Sequence, residues 1–324
     1  MKNLITIIMY HYVRDLKNSR YPNIKGLDTG LFLEQIKYLL KYYHIISMEE
    51  IIYKIKNNKP FNEKFACLTF DDGYSDHFQN VFPILEKYKI KGAFYPPAKT
   101  IEKNKILDVN KIHFILASKN ETNPILREIE NEIEKYKKKF RLLEFAEYYK
   151  KLAHKSRYDS ADVIFIKRLL QVELVEPLRK IITNLLFEKF VSQDEEAFCK
   201  ELYMSSKELI YMASSGMHIG SHGYDHYWLS SLDEQSQRND IEKSLKFLKR
   251  INGTLKNWTM CYPYGSYNDH TLKILKKKKC SIGLTTHVNI SNIDEDDHLT
   301  LPRLDTNDIP KNQHSKPNQW FKLG

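Results

Sequence analysis

Two neighbouring acids, Asp71 and Asp72, close an apolar run in the stretch Thr69-Phe70-Asp71-Asp72-Gly73. Adjacent carboxylates at the end of a buried strand cannot both ionise cheaply unless a cation or hydrogen-bond donors compensate them. The C-terminal edge of parallel strands is also where α/β folds build active sites. An ordinary Asp-Gly turn would account for the same residues. Much later, Ser221-His222-Gly223-Tyr224-Asp225-His226 follows the short run Met217–Gly220. Histidines at this i, i+4 spacing fall on one face of a helical turn, so both imidazoles can reach one metal. The plain alternative is a pair of structural histidines; His218, inside the run, reads as structural, and Asp225 as an acid at the margin. Taken together, one carboxylate and two imidazoles leave open positions on a cation such as Zn²⁺, as in catalytic rather than structural sites. The second carboxylate is then free to act as a base. A third stretch, Tyr262-Pro263-Tyr264-Gly265, is either a simple Pro/Gly turn or a tight turn presenting a backbone N–H as an oxyanion-hole donor.

The elements that must position these residues alternate in type. Leu4–Met9 and Phe65–Phe70 are apolar on both faces, as buried parallel strands are. Helical spacing predicts helices over 29–43, Met48–Lys56 and Ser75–Tyr88, with short strands at His44–Ser47 and Gly92–Tyr95. This rhythm argues a parallel α/β fold. From Ile101 to Tyr203 strand signals vanish and charge density rises. A long helix is expected from Asn123-Pro124 to about Leu152, another over Val163–Glu173, and a third opened by Pro177. The α/β rhythm resumes with Lys207–Ser215 and Met217–Gly220. Ser231-x-x-Glu234 reads as a capping box opening a helix that Gly253 closes. A strand at Trp258–Tyr262, a helix from about Asn268 to Lys279, and strands at Ser281–Thr286 and Leu299–Leu304 complete the chain. The expected domains are therefore a discontinuous α/β domain, 1–100 and 204–324, and a helical insertion, 101–203.

With 324 residues and 42% hydrophobic content the chain can bury a sizeable core, and disordered or fibrous classes are excluded. The four cysteines, Cys67, Cys199, Cys261 and Cys280, lie far apart without a CxxC, which argues for free thiols in a reducing compartment. The excess of 51 Lys and Arg over 41 Asp and Glu, a charge of +10, favours anionic partners or simply keeps a Lys-rich surface soluble. No nucleic-acid recognition motif is present, and lysines alternate with glutamates, so nucleic acid is not expected. The N-terminus has one lysine, a short apolar stretch and no small-residue cleavage site, so it reads as a strand and the protein as cytoplasmic.

Thr-Phe-Asp-Asp-Gly, Ser-His-x-x-x-His and Tyr-Pro-Tyr-Gly, in that order, resemble the polysaccharide deacetylases of carbohydrate esterase family 4. The resemblance covers about residues 1–100 and 205–310. It implies a distorted, incomplete (β/α) barrel, here with a large helical insertion, and metal-dependent removal of acetyl groups from sugars. It further implies Asp71 as general base, Asp72, His222 and His226 as metal ligands, and Tyr264 as donor of an oxyanion-hole N–H. Family members often carry an arginine just before the Tyr/Pro-Pro-Tyr-Gly turn, bracing the base; Cys261 stands there in this chain, and Arg303 is the candidate substitute. The late Leu-x-x-His that supplies the general acid in many members is missing, and His270, His287 and His298 sit in no such pattern. Tyr10-His11-Tyr12-Val13 instead resembles the opening of the poly-N-acetylglucosamine deacetylase branch, which implies His11 as the acid. Zn²⁺ is the expected cofactor, with Co²⁺, Ni²⁺ or Mn²⁺ able to use the same ligands. The expected substrate is an acylated amino sugar, phosphate-bearing if nucleotide- or lipid-linked, or an oligosaccharide of a surface glycan. A peripheral membrane contact and oligomerisation through the insertion are further expected partners. The competing reading is a catalytically altered carbohydrate-binding protein on the same scaffold.

Overall fold

The structure, a computed structural model, describes residues 3–156 and 159–323. Met1 and Lys2 of the N-terminal reading, and Arg157, Tyr158 and Gly324 of the expected domains, lie outside the described residues. The chain divides into two compact units, one made of 1–15, 26–104 and 200–324, the other of 16–25 and 105–199. The second unit takes in 16–25 together with 105–199, while 101–104 and 200–203 of the expected insertion fall in the first.

The first unit is built on a ring of parallel pairings. Strand Leu4–Tyr10 pairs with Phe65–Asp71, which pairs with Ala93–Tyr95, which pairs with His218–Ile219. A single bridge, Ser221 to Met260, carries the ring on to Thr259–Cys261 and its partner Ile282–Leu284. Another bridge, Leu284 to Leu301, leads into the segment ending at Leu304–Asp305, which pairs back onto the first strand. Two of the seams are single bridges, and Ser291–Asn292 joins the first strand antiparallel. The result is a distorted barrel of the expected class.

Side-chain alternation along each strand sorts residues to two faces. Ile8, Tyr10, Leu68, Phe70 and Phe94 pack in one cluster with Phe32 and Ile36 of helix Thr29–Tyr42 and Ile241 and Leu245 of helix Glu234–Asn252. The intervening residues Ile5, Ile7, Cys67, Tyr95, Cys261, Leu284 and Leu301 form the second cluster, joined by Met48, Ile51 and Ile52 of helix Met48–Lys56. Asp71 shares the parity of Cys67 and Thr69, and Arg303 that of Leu301. The pleat alone therefore delivers an acid and a base to the same face.

Several elements differ from their sequence reading. The helix expected over Ser75–Tyr88 begins as a π-turn, His77–Val81, before Phe82–Lys87. His77 Nε2 and Asn80 Nδ2 donate to the carbonyls of His11 and Val13, and that turn holds them there. The long helix from Asn123 stops at Phe140, where Arg141 turns left-handed, and Glu144 caps a new helix, Phe145–Leu152. Ser231 belongs to a short 3₁₀ turn, and the cap of Glu234–Asn252 is Asp233, whose carboxylate accepts the Ser236 N–H. Gly253 does close that helix left-handed.

Among its described residues the second unit is helical, with no strand. Its interior holds Ile125, Ile129, Phe165, Leu178 and Ile182, and Phe198 meets Phe114 and Phe187 edge-on. A buried lysine, Lys111, is held by Glu195 (3.0 Å) and Asn184 (2.7 Å).

Gly283 marks how tightly the ring is closed: a Cβ there would lie 2.0 Å from the Leu299 carbonyl oxygen. Replacing it with alanine should cost about 1–3 kcal/mol through enforced backbone displacement. A denaturant-unfolding midpoint no lower than wild type would show that this seam is not tight.

Candidate active site

The two acids at the end of one strand take different partners. Asp71 is the last residue of Phe65–Asp71, and its carboxylate lies inside the ring. Asp72 (φ 71°) and Gly73 (φ 68°) are both left-handed, a conformation that Asp tolerates and Gly favours. The Asp-Gly turn is thus real.

Asp71 is clamped. Arg303, fully buried, donates from Nη1 to Oδ1 (2.9 Å) and from Nη2 to Oδ2 (2.8 Å). The same guanidinium donates to Thr69 Oγ1 and to the Thr285 carbonyl, so its position is fixed from three sides. The Cys261 thiol adds a donor to Oδ2 at 3.3 Å. Burial alone would raise the Asp71 pKa, but the charge and hydrogen bonds of Arg303 outweigh it and hold the carboxyl well below the usual range.

Asp72 faces imidazoles. Its Oδ2 accepts from the Tyr74 hydroxyl. Its Oδ1 is buried without a hydrogen-bond partner, 3.4 Å from His222 Nε2 and 3.3 Å from His226 Nε2. Burial pushes this carboxyl up, and the two imidazoles more than reverse the effect. His222 Nδ1 donates to the Cys261 carbonyl (2.7 Å), which leaves its Nε2 lone pair turned toward Asp72. A buried, unpartnered carboxylate oxygen beside an imidazole lone pair is a cation site by its chemistry. The separations match the edge of a tetrahedron around an ion with ligand distances of about 2.0–2.1 Å. The three residues therefore fit a divalent metal. Asp71, His222 and Cys261 also cluster, but Arg303 occupies both Asp71 oxygens, and burial raises the Cys261 pKa and keeps it a thiol.

The histidine segment is not the helical turn its spacing suggested. Gly223 (φ 71°) and His226 (φ 56°) are left-handed, and the chain bends around rather than coils. Asp240 of helix Glu234–Asn252 accepts the N–H groups of Tyr224 and Asp225, both at 2.9 Å, and thereby sets that bend. Asp225 pairs with Lys99. His218 lies in its strand between Glu49 (2.6 Å) and Thr259 (2.7 Å), which take up both of its ring nitrogens.

Tyr264 is also left-handed (φ 58°), an uncommon state for an aromatic residue. Its ring lies edge-on to His226 (4.7 Å) and stacks on Trp228 (4.4 Å). His11 directly follows the first strand, and its imidazole is close enough to act electrostatically on Asp71, Asp72 and His226. Its carbonyl accepts from His77 Nε2 at 2.8 Å. Burial lowers the His77 pKa to about 4, so that ring is a neutral prop. His270 pairs with Glu234 and His298 with the Ile293 carbonyl, and neither has a part in this cluster. Sequence reasoning passed over Tyr74 and Asp240. For Asp240 a signal existed: it is an acid within the buried stripe Gln237, Ile241, Ser244, Leu245 and Leu248.

A family model described as Polysaccharide deacetylase matches residues 58–140 and 188–282. YxkH of Bacillus subtilis, a protein assigned to the polysaccharide deacetylases, is 20% identical over 292 residues, covering 90% of this chain and 67% of that protein. The poly-β-1,6-N-acetyl-D-glucosamine N-deacetylase of Escherichia coli K12 is 29% identical over 102 residues, 31% of this chain and 15% of that protein. Among solved structures, the Streptococcus pyogenes deacetylase PplD in complex with acetate superposes with a TM-score of 0.59 at 18% identity, covering 98% of this chain and 100% of that one. IcaB from Ammonifex degensii gives 0.57 at 17%, over 99% of this chain and 95% of that one. At these identities the likeness is one of fold.

Removing the guanidinium from Asp71 leaves a buried charge uncompensated, so Arg303→Met should destabilise by about 3–5 kcal/mol. The double variant Arg303→Met/Asp71→Leu should recover much of that loss in denaturant unfolding. Because the folded-state pKa of Asp71 is depressed, its contribution is present above about pH 4 and lost as pH falls further. The double variant should therefore lose less stability than wild type below about pH 4. Equal acid sensitivity would remove Asp71 from the account.

Proposed function

We propose, from the premise that this chain belongs to the polysaccharide deacetylase family, that it hydrolyses the N-acetyl group of an amino sugar with the help of a divalent cation. The observation that supports this most is the division of labour between neighbouring carboxylates: Asp71 sits on Arg303, and Asp72 faces two imidazoles.

Asp72, His222 and His226 would hold the cation, which supplies Lewis-acid polarisation of the amide and a more acidic water when bound. Asp71 accepts the proton as water attacks the acetyl carbon. A carboxylate has about four acceptor sites; two Arg303 N–H groups and the Cys261 thiol use three, leaving one for that proton. The Tyr264 backbone N–H donates to the oxyanion developing on the substrate, a contribution of about 3 kcal/mol for donors of this kind. His11, protonated, gives its proton to the departing sugar nitrogen. The balance is amide plus water to protonated amine (ammonium) plus acetate, both protons of the attacking water ending on the nitrogen once Asp71 and His11 have returned to their starting states.

Zn²⁺ suits the mixed oxygen and nitrogen ligands, and Co²⁺, Ni²⁺ or Mn²⁺ share the chemistry. The charge of +10 suits a phosphate-bearing carrier. The substrate in this reading is an N-acetylated amino sugar, in a polymer or on a nucleotide- or lipid-linked precursor handled in the cytoplasm. The silent sugar-binding alternative would tolerate loss of the base or a ligand, yet both acids and both imidazoles are in place.

Asp71→Asn should retain bound metal while acetate release falls by at least about 100-fold. His222→Ala should lose both metal and activity, read by metal analysis alongside acetate release. Near-native turnover in Asp71→Asn would remove it as the base.

A further inference from the structure

Trp228 lies two positions beyond His226, and 39% of its surface is exposed. It is nevertheless held in one orientation. One indole face stacks on Tyr264 at 4.4 Å with the planes 6° apart, and Tyr264 in turn meets His226 at 4.7 Å. The two chain segments that carry these rings are tied together: the Ser230 N–H donates to Ser266 Oγ (3.1 Å), and the two hydroxyls are 2.7 Å apart. The Leu229–Ser231 turn that follows Trp228 is fastened by the Ser231 hydroxyl, which donates to the Trp228 carbonyl. A large apolar ring left exposed, yet ordered by its surroundings at the rim of a catalytic cluster, is a preorganised surface rather than a frayed one.

We propose that Trp228, backed by Tyr264, is a stacking platform for a pyranose ring of the glycan adjoining the sugar that loses its acetyl group. This rests on the amino-sugar reading above and extends it to a chain of sugars. A pyranose presents a face of C–H bonds that packs flat on an indole, and the indole N–H at the ring edge can reach a hydroxyl. The chain of contacts Trp228–Tyr264–His226 places the platform one ring away from a proposed cation ligand, the separation expected of a neighbouring sugar. Two rings are far smaller than the roughly 800 Å² that a stable protein partner needs. The occupant is therefore a glycan ring and not a second copy of the chain.

Calorimetry with glucosamine pentamer and monomer, deacetylated products that the reaction leaves unchanged, tests this directly. Wild-type protein should bind the pentamer about 10-fold more tightly than the monomer, and Trp228→Ala should abolish that preference, with Trp228→Phe restoring part of it. In turnover of the N-acetylglucosamine pentamer, Trp228→Ala should raise KM by about 10-fold, and Trp228→Phe, which keeps a ring against Tyr264, should return part of that rise. Three results would overturn the platform: no preference for the pentamer in wild type, a preference that survives in Trp228→Ala, or a fall in kcat at unchanged KM. The last would mean that the indole serves only to hold Tyr264. Wild-type protein that binds the pentamer as expected yet releases no acetate overturns the deacetylation reading and leaves the platform standing.

Discussion

Two carboxylates, adjacent in sequence and both shut away from water, must each be given a positive counterpart or lose their charge. The rest of the site follows from that constraint. Asp71 obtains its counterpart covalently fixed, as the Arg303 guanidinium held by Thr69 and Thr285. Asp72 obtains only imidazoles and a tyrosine hydroxyl, and one of its oxygens is left unmatched among the described residues. That asymmetry separates an acid kept ionised at rest by a fixed guanidinium from one with room for an added cation. It accompanies a left-handed turn at Asp72 and Gly73, directly after the strand that ends in Asp71.

Much of this was legible in the sequence because strand parity is rigid. Thr69, Asp71 and Cys67 must share a face once Phe65–Asp71 is a strand, and Leu301 and Arg303 must share one likewise. The type of most elements, including helix Met48–Lys56 and the left-handed stop at Gly253, followed from periodicity and capping. What the pattern could not supply were conformations that break periodicity. His222 and His226 read as a helical turn, but two left-handed residues and the Asp240 carboxylate bring them together by a bend. The π-turn at His77 and the break at Arg141 have no periodic signature either. Arg303 could be named as a candidate, but its pairing with Asp71 depends on long-range closure, the Leu284–Leu301 bridge on one side and the pairing of Leu304–Asp305 with the first strand on the other, which no local pattern specifies.

Left-handed backbone recurs where side chains converge: Asp72, His226 and Tyr264 all adopt it, and none is glycine. Such conformations cost about 1–3 kcal/mol each and persist only where the surroundings over-determine them. Here the surroundings are identifiable. Tyr74 holds Asp72, and the Tyr264 ring is pinned between His226 and Trp228. The stack that stabilises Tyr264 is the same one that orders an exposed indole beside the cluster, so site geometry and a surface for the neighbouring sugar share one structural cause.

The most direct measurement of the central claim is anomalous diffraction from crystals of the full chain grown with Zn²⁺. The account predicts one strong peak bonded by an Asp72 oxygen and by Nε2 of His222 and His226, with Asp71 still on Arg303 and not bonded to the ion. A peak bonded by Asp71 and Cys261, or none among these residues, would contradict it.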